Sequence, residues 1–346
     1  MQINKNKSIL VFSKYIHSNY GGAELSMISL SKKTINKFGT KFKFLGLENP
    51  NFMNAQRIKN ELLENHKKEY FRESFQIKNF PLWDYLINRY ALKKNARKRK
   101  EETLWTYGVW APNFANNFEG EVFYFVRSES DLGIFKNYNY GIRRFFKFIH
   151  IFIEAIPLLI YRNDLKITFR KSKIISNSKF MAKQVKKIFN VESKVIYPEI
   201  NVSKILDSEK FKKSKKDSIL FIGDSNVKGQ NLILKLTKYF HKENFIIYTR
   251  KISSEKKIDN IIFKPWASSS FEIYNQAKLV LVPSQWQEAY GRVSREAFLL
   301  KINLLVSNVG GLPETVNFNS KYLVDDFKNI NAWKSRIFEV LNGKNY

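Results

Sequence analysis

Two glutamates in the last quarter of the chain, Glu288 and Glu296, lie eight residues apart. One carboxylate of such a pair can stabilise positive charge that develops during a reaction, while the other holds hydroxyl groups. The spacing alone is weak evidence, because Glu61 and Glu69, among others, repeat it elsewhere in the chain. The residues around Glu288 and Glu296 are therefore the better evidence for the role of the pair.

The surroundings of the pair are those of a ligand site. Glu288 follows an apolar run typical of a buried strand, and Gly291 comes three residues later. Glu296 falls in the helical segment that follows, and Gly310-Gly311 comes one strand later at the same edge of the predicted sheet. This arrangement predicts that one carboxylate faces a sugar and the other reaches ribose hydroxyls at the far end of a nucleotide.

Two further glycine loops each follow a predicted strand and open a helix. Gly21-Gly22 would let backbone N–H groups approach an anion at the helix start, although a tight turn is an equal alternative. Gly21-Gly22 lacks the full Gly-x-Gly-x-x-Gly pattern, which disfavours a nicotinamide dinucleotide site. Lys228, in the second loop, would neutralise a diphosphate; taken alone, it equally fits an exposed lysine in a turn.

Together these features resemble the family 4 glycosyltransferases, which share the GT-B fold and retain the anomeric configuration of the transferred sugar. The residues that carry the resemblance are Ser284, Glu288, Tyr290-Gly291, Glu296 and Gly310-Gly311-Leu312-Pro313-Glu314. The resemblance is strong in the second half of the chain and loose in the first.

The resemblance implies a role for each matching residue. Glu288 would hold donor-sugar hydroxyls and stabilise charge at the anomeric carbon, Glu296 would bind the ribose, and Lys228 would bind the diphosphate and help it leave. Further donor contacts are implied for Gly21, Gly22, Ser284, Tyr290, Gly291, Arg292, Gly310 and Gly311. The family implies a nucleotide sugar as co-substrate, no cofactor, no metal and no protein general base.

Two positions depart from the family pattern. Asp224 stands where many relatives have arginine, so the second phosphate-binding cation would come from Arg292, Arg250 or Lys251. Arg127 falls in the region where relatives often carry a sugar-contacting histidine, and it either takes that place or indicates a less usual donor sugar.

The elements that must position these residues alternate between short β-rich runs and helical segments, as in a parallel sheet covered on both faces. Candidate strands are 9–12, 42–45, 122–126, 174–176, 195–197, 219–222, 245–248, 261–263, 279–282 and 304–307. Candidate helices are 22–33, 179–189, 230–240, 271–276 and 294–300.

These elements predict an α/β protein of GT-B type, with two Rossmann-like doubly wound domains facing a central cleft. Residues 1–200 are the predicted acceptor-binding domain and 201–330 the donor-binding domain. A C-terminal helix within 331–346 is predicted to pack back on the first domain. The lysine-rich stretch 198–218 is interpreted as the linker between the domains.

Composition excludes some chemistries and favours others. The chain has no cysteine, which excludes disulfides and thiolate sites, and its 4 histidines are scattered, which argues against a metal site. The net charge of +29 indicates an anionic partner beyond any compositional bias. Residues 1–200 carry 36 basic against 17 acidic side chains, an excess of 19, so the first domain is the more basic.

Two basic stretches bear on localisation. The aromatic stretch 143–162 either lies in a membrane interface or forms a buried helix pair, and 93–100 is an exposed basic strip. No apolar run reaches the ~18 residues of a membrane span, and the chain runs directly into its first strand. We expect a cytoplasmic protein, peripheral on the cytosolic face of an anionic membrane.

The favoured function is retaining transfer of a sugar, of hexosyltransferase type (EC 2.4), from a UDP- or GDP-linked donor to a saccharide or lipid-linked saccharide. The expected setting is bacterial cell-surface polysaccharide synthesis, such as O-antigen or capsule. The alternatives are a non-catalytic basic protein that binds polyanions or nucleic acid, and a degenerate GT-B protein, which Asp224 suggests. Nucleic acid is not the expected partner, because no helix-turn-helix, zinc-finger or RNP motif is present.

Overall fold

The computed structural model describes residues 7–17, 22–47, 67–71, 77, 80–135, 152–266 and 273–343. The chain divides into two compact units, Met1–Glu199 and Ile200–Tyr346. Each unit is built on its own sheet.

The first unit is a parallel sheet of seven strands in the order β3-β2-β1-β4-β5-β6-β7. The strands are β1 (Ser8–Phe12), β2 (Lys41–Gly46), β3 (Lys67–Tyr70), β4 (Thr103–Thr106), β5 (Glu121–Val126), β6 (Lys173–Ser176) and β7 (Lys194–Val195). Helices cover both faces of such a sheet, which is why β1 is an unbroken buried run rather than an alternating one. The order of the strands reverses between β1 and β4.

Five helices are described in the first unit. They are α1 (Gly22–Phe38), α2 (Pro81–Arg97), α3 (Ala111–Asn116), α4 (Ala155–Lys171) and α5 (Lys179–Phe189). Helices α2, α3 and α4 pack against one another. The Ser178 hydroxyl caps α5 by accepting from the Met181 backbone N–H at 3.0 Å.

The second unit repeats the architecture with the strand order β10-β11-β9-β8-β12-β13-β14. The strands are β8 (Ser218–Ile222), β9 (Asn244–Thr249), β10 (Lys256–Ile258), β11 (Ile261–Pro265), β12 (Ala277–Val282), β13 (Asn303–Ser307) and β14 (Leu323–Val324). Only β10 is antiparallel to its neighbour among the pairs described. The helices are α6 (Ser203–Leu206), α7 (Glu209–Lys213), α8 (Gln230–Tyr239), α9 (Arg292–Leu299), α10 (Leu312–Thr315) and α11 (Ile330–Leu341).

The predicted class of two Rossmann-like α/β domains is confirmed, and the predicted strands are present, although β7 is shorter than expected. Strands β3, β4, β10 and β14 and helices α2, α3, α6, α7 and α10 were not predicted. Of the predicted helix 271–276, residues 273–274 are helical and 271–272 lie outside the described residues. The aromatic stretch 143–162 lies outside the described residues up to 151, and its end, 155–162, belongs to α4. The predicted central cleft between the domains stays a prediction.

The interpretation of 198–218 as a linker is wrong for most of its length. Val202, Ile205 and Phe211 are buried in the core of the second unit, beside Leu220 of β8. The segment is polar in composition, but these three apolar residues are enough to attach α6 and α7 to that core.

The C-terminal helix begins at Ile330, as expected, and its buried face joins the second unit. Trp333, Ile337 and Val340 pack in the core that contains Phe245 and Leu305. The predicted packing of this helix on the first domain stays a prediction. Within the described residues, no helix is both long enough and apolar enough to cross a membrane.

Candidate functional site

The candidate site of the second unit lies where the order of the strands in its sheet reverses, between β8 and β12. From β8 the chain continues to β9 on one side, and β12 lies on the other, so the loops that follow β8 and β12 are neighbours. The Gln285 backbone N–H donates to the Val227 carbonyl at 2.8 Å and joins the two loops. Ligands of open α/β sheets bind in the crevice at such a point.

Lys228 and Glu288, the two predicted catalytic residues, form an ion pair across these loops. The Lys228 ammonium lies 2.5 Å from Glu288 Oε1, and the Ser284 hydroxyl donates to the same oxygen at 2.5 Å. The Glu288 side chain is 10% exposed and that of Lys228 is 38% exposed. Burial by itself raises the pKa of Glu288, but the Lys228 charge and these hydrogen bonds outweigh it and hold that pKa below its ordinary value. The site therefore presents an ionised carboxylate beside a reachable ammonium.

Gly229 sets the close approach of the two loops. It has φ +91°, and a β-carbon there would lie 2.1 Å from the Pro283 carbonyl oxygen. No other residue can combine that backbone conformation with that contact. The glycine after Lys228 therefore serves to pack the Lys228 loop against the start of the Glu288 loop.

The Gly310-Gly311 pair, predicted to contact the donor, packs against the backbone that carries Glu288. A β-carbon on Gly310 would lie 2.5 Å from the Glu288 carbonyl oxygen, and one on Gly311 would lie 2.4 Å from that of Ala289. The Gly311 N–H donates to the Glu288 carbonyl at 2.7 Å. This packing explains why both positions are glycine. A contact between either glycine and the donor stays a prediction.

Ser284 also lies behind Glu288. It is fully buried, and its hydroxyl contacts the Glu288 carboxylate. The structure therefore gives it the geometry of a residue that positions Glu288, and its predicted contact with the donor is untested.

Glu296 lies on α9 and is held by two partners. The Arg292 guanidinium, one turn earlier, donates to Glu296 Oε1 at 3.1 Å, and the Tyr274 hydroxyl donates to Oε2 at 2.8 Å. Burial and the Glu296 charge together raise the pKa of Tyr274 well above its ordinary value, so Tyr274 stays a donor. Sequence reasoning missed Tyr274, because nothing in its local pattern connects it with a helix eighteen residues further on.

Gly291 and Tyr290 form the turn into α9. Gly291 has φ +118°, and a β-carbon there would lie 2.5 Å from Leu312 Cδ2. Tyr290 is buried, and burial raises the pKa of its phenol. The turn places α9 directly after the Glu288 loop.

Two further cations follow β9, the strand next to β8. The Arg250 guanidinium lies 4.6 Å from the centre of the Trp266 ring, and the Lys251 ammonium donates to Gln230 at the start of α8 at 3.2 Å. Asp224 is half-buried and has no hydrogen bond or ion pair within the described ranges. Lys251 is one of the cations predicted to bind the second phosphate in place of an arginine at position 224. It contacts α8, the helix that begins two residues after Lys228.

In the first unit, the structure describes Gly22 as the first residue of α1, and Gly21 lies outside the described residues. Arg127 follows β5 at the carboxyl edge of the sheet. Its guanidinium donates to the Ser26 hydroxyl of α1 at 2.7 Å and lies 5.7 Å from the centre of the Tyr107 ring. Arg127 is thus held against α1 at Ser26, four residues after Gly22.

Asp131 organises this edge of the first unit and was missed from the sequence. Its buried carboxylate accepts from the backbone N–H groups of Gly108, Arg127 and Ser128 at 2.8 to 3.0 Å. Burial raises the pKa of Asp131, although these donors partly oppose the effect. The signal that could have found it is the capping-box spacing between Ser128 and Asp131.

The sequence of the second unit matches a known family. Residues 203–346 match the family described as Glycosyl transferases group 1. The match spans nearly the whole of the second unit. Spore coat protein SA of Bacillus subtilis (strain 168) is 25% identical over 151 residues, which span 37% of this chain and 40% of that protein.

Solved structures extend the similarity to the whole chain. HepE of Anabaena, in complex with UDP-glucose, superposes with a TM-score of 0.67 at 13% identity, covering 97% of this chain and 90% of that one. WaaG, a glycosyltransferase involved in lipopolysaccharide biosynthesis, superposes with a TM-score of 0.62 at 12% identity, covering 98% and 94%. At these identities the likeness concerns the fold, and the chain has the GT-B fold that its sequence predicted.

Proposed function

We propose that this protein is a family 4-type glycosyltransferase that moves a hexose from a nucleotide sugar to a saccharide acceptor with retention of configuration. The observation that supports this most is the ion pair between Lys228 and Glu288 at the crevice of the glycosyl transferases group 1 domain. It holds one positive and one negative group ready for the two fragments of a nucleotide sugar.

The chemistry uses both charges. The bond between the anomeric carbon and the diphosphate oxygen breaks, and its electron pair leaves with the diphosphate. The Glu288 carboxylate, which its lowered pKa keeps ionised, stabilises the positive charge on the sugar. Lys228 turns its ammonium to the departing diphosphate. The acceptor hydroxyl adds on the same face, and its proton goes to a diphosphate oxygen.

The nucleoside end of the donor would meet Glu296. Arg292 and Tyr274 fix both oxygens of this carboxylate, so it accepts ribose hydroxyls without rearranging. Arg292 Nη1 is buried without a hydrogen-bond partner among the described residues, which leaves its two N–H groups for ligand oxygens. We infer a uridine or guanosine nucleotide, and the UDP-glucose bound by HepE supports the former.

The acceptor is the less defined substrate. WaaG, which has the same fold, is involved in lipopolysaccharide biosynthesis, and this supports a saccharide or lipid-linked saccharide of a bacterial cell surface as the acceptor. A peripheral protein on the cytosolic face of the membrane would reach both that acceptor and the nucleotide sugar. We expect no metal or cofactor in the reaction.

The test is the substitution Glu288→Gln in the full chain. We expect kcat to fall by about 10²- to 10³-fold, since a neutral amide cannot balance the charge on the sugar. Glu243→Gln is the matched control, because Glu243 also pairs with a lysine but precedes β9, at the amino edge of the sheet. The assay is transfer from a panel of nucleotide sugars chosen by calorimetry, with the anomeric configuration of the product read by NMR.

Three results would contradict the proposal. Full activity of the Glu288→Gln protein would remove Glu288 from the chemistry, and an inverted product would refute retention. If no nucleotide sugar in the panel bound to the wild-type chain, the donor site itself would be refuted.

A further inference from the structure

Six large apolar side chains are exposed on one side of the first unit. Their exposed fractions run from 41% for Ile153 to 83% for Phe152. Helix α2 contributes Ile87 and Tyr90, and α4 with the residues just before it contributes Phe152, Ile153, Ile156 and Leu159. We call this surface, with the basic residues that follow it along both helices, the α2–α4 face.

These side chains form one surface because α2 and α4 lie side by side. The Trp83 indole N–H at the start of α2 donates to the Ile153 carbonyl at 2.9 Å. Further along both helices, Arg89 donates to both oxygens of Asp164 at 3.0 and 3.1 Å. The two contacts show that the helices run in the same direction, with their apolar ends together.

The first two turns of α4 are apolar on both sides. Pro157 and Tyr161 face the protein core, while Ile156 and Leu159 face outward. A helix that lies on a water-exposed surface normally turns a polar side outward. Packing against the described residues of the unit does not account for the outward stripe, so an external apolar environment is the physical explanation.

The charges on the α2–α4 face have one sign. The acidic residues on these helices and at the α4 cap, Asp84, Glu154 and Asp164, are all buried. The basic residues farther along the helices are exposed: Lys93, Lys94, Arg97, Arg162, Lys166, Arg170 and Lys171. The exposed surface therefore consists of an apolar end followed by cations, with no exposed carboxylate on either helix.

We propose that the α2–α4 face docks on a membrane surface that contains anionic lipids. The apolar end enters the region between headgroups and acyl chains, and the basic residues contact lipid phosphates. A second copy of the chain would bring these cations against one another, and a soluble polyanion would use the cations but leave the apolar end exposed. An anionic lipid surface is the partner that contacts both the apolar end and the basic residues of the α2–α4 face.

This inference deepens the peripheral membrane location of the proposed function by assigning the surface that docks, and it does not depend on the transfer reaction. Docking brings the first unit to the membrane whatever reaction the chain performs. The experiment below uses no nucleotide sugar, so a failure of docking and a failure of transfer are observed separately.

The experiment is sedimentation of the full chain with vesicles of phosphatidylcholine, with or without phosphatidylglycerol. One variant replaces the outward apolar residues of α4 by serine: Phe152→Ser, Ile156→Ser and Leu159→Ser. A second removes three of the cations: Arg162→Gln, Lys166→Gln and Arg170→Gln. All six positions are exposed, and circular dichroism confirms that each variant is folded.

Each variant has a matched control in the second unit. The apolar control replaces side chains that are 54% to 59% exposed: Tyr239→Ser, Phe318→Ser and Phe338→Ser. The charge control removes the same net charge from exposed lysines: Lys212→Gln, Lys242→Gln and Lys257→Gln.

We expect the wild type and both controls to bind the phosphatidylglycerol vesicles. The apolar variant should bind at least about ten-fold more weakly. The charge variant should bind about 100-fold more weakly, because each cation near an anionic surface contributes roughly five-fold. Absence of wild-type binding, or equal losses in variants and controls, would overturn the proposal. So would a loss confined to the charge variant, which would assign the surface to a soluble polyanion.

Discussion

Replacing Lys228 by methionine should destabilise the second unit by leaving the Glu288 charge without its counterion. Removing one partner of a fully buried ion pair costs about 3–5 kcal/mol. Glu288 is 10% exposed, but Lys228 is 38% exposed, so water already screens the pair. We therefore expect the free energy of unfolding to fall by about 1–2 kcal/mol at neutral pH.

The direction of the Glu288 pKa shift determines how the destabilisation should vary with pH. In the wild type the folded-state pKa of Glu288 lies below its unfolded value, so its contribution to stability is present above the unfolded pKa. That contribution is lost as the pH falls through the folded pKa. In the Lys228→Met protein, we expect burial without the cation to raise the folded-state pKa of Glu288 above the unfolded value. Its destabilisation should therefore shrink as the pH falls from neutral towards about 4.

The measurement is urea unfolding of the full chain at several pH values, followed by hydrogen exchange in peptides of the second unit. The double variant Lys228→Met with Glu288→Gln is the control, because it removes both charges. It should be more stable than Lys228→Met alone at neutral pH. If the double variant were no more stable, or if Lys228→Met kept the pH profile of the wild type, the reasoning about this ion pair would be wrong.

Two further predictions concern residues that support the site. Gly311→Ala should destabilise the second unit by about 1–3 kcal/mol and weaken donor binding in calorimetry, because its β-carbon would lie 2.4 Å from the Ala289 carbonyl oxygen. Gly39→Ala, in the first unit, should leave donor binding unchanged; equal losses would contradict the packing argument. Tyr274→Phe should raise KM for ribonucleotide sugars by about ten-fold, through the hydrogen bond lost from Glu296. The loss should be much smaller with 2′,3′-dideoxy donors, and an equal loss would show that Tyr274 does not act on the ribose.

Much of the fold follows from local sequence. A parallel strand covered on both faces must be a continuous apolar run, and Ile9–Phe12 and Leu279–Val282 are such runs. Strands β3 and β10 escaped prediction because they are short and lysine-rich, and they lie at the edges of their sheets. Their place depends on a neighbouring strand rather than on their own composition.

The candidate site was predictable to a similar degree. The order of strand, Glu288, Gly291, helix and glycine pair predicted a ligand site at the carboxyl edge of the sheet. The structure places these residues at that edge, and ligand binding stays a prediction. Ser284 was predicted as a site residue, but Tyr274, the hydrogen-bond partner of Glu296, came only from the structure. A hydrogen bond depends on distance in space, and neither residue type nor spacing encodes it over twenty or more positions of chain.

The sequence by itself determined the two Rossmann-like units and the loops that carry Lys228 and Glu288, because periodicity and glycine placement are local properties. Only the tertiary structure decided what those residues touch. It joined Lys228 to Glu288 across two neighbouring loops and packed Gly311 against the Glu288 backbone. Contacts of this kind form when a sheet brings distant segments to one edge, so their geometry belongs to the assembled sheet and not to any single segment.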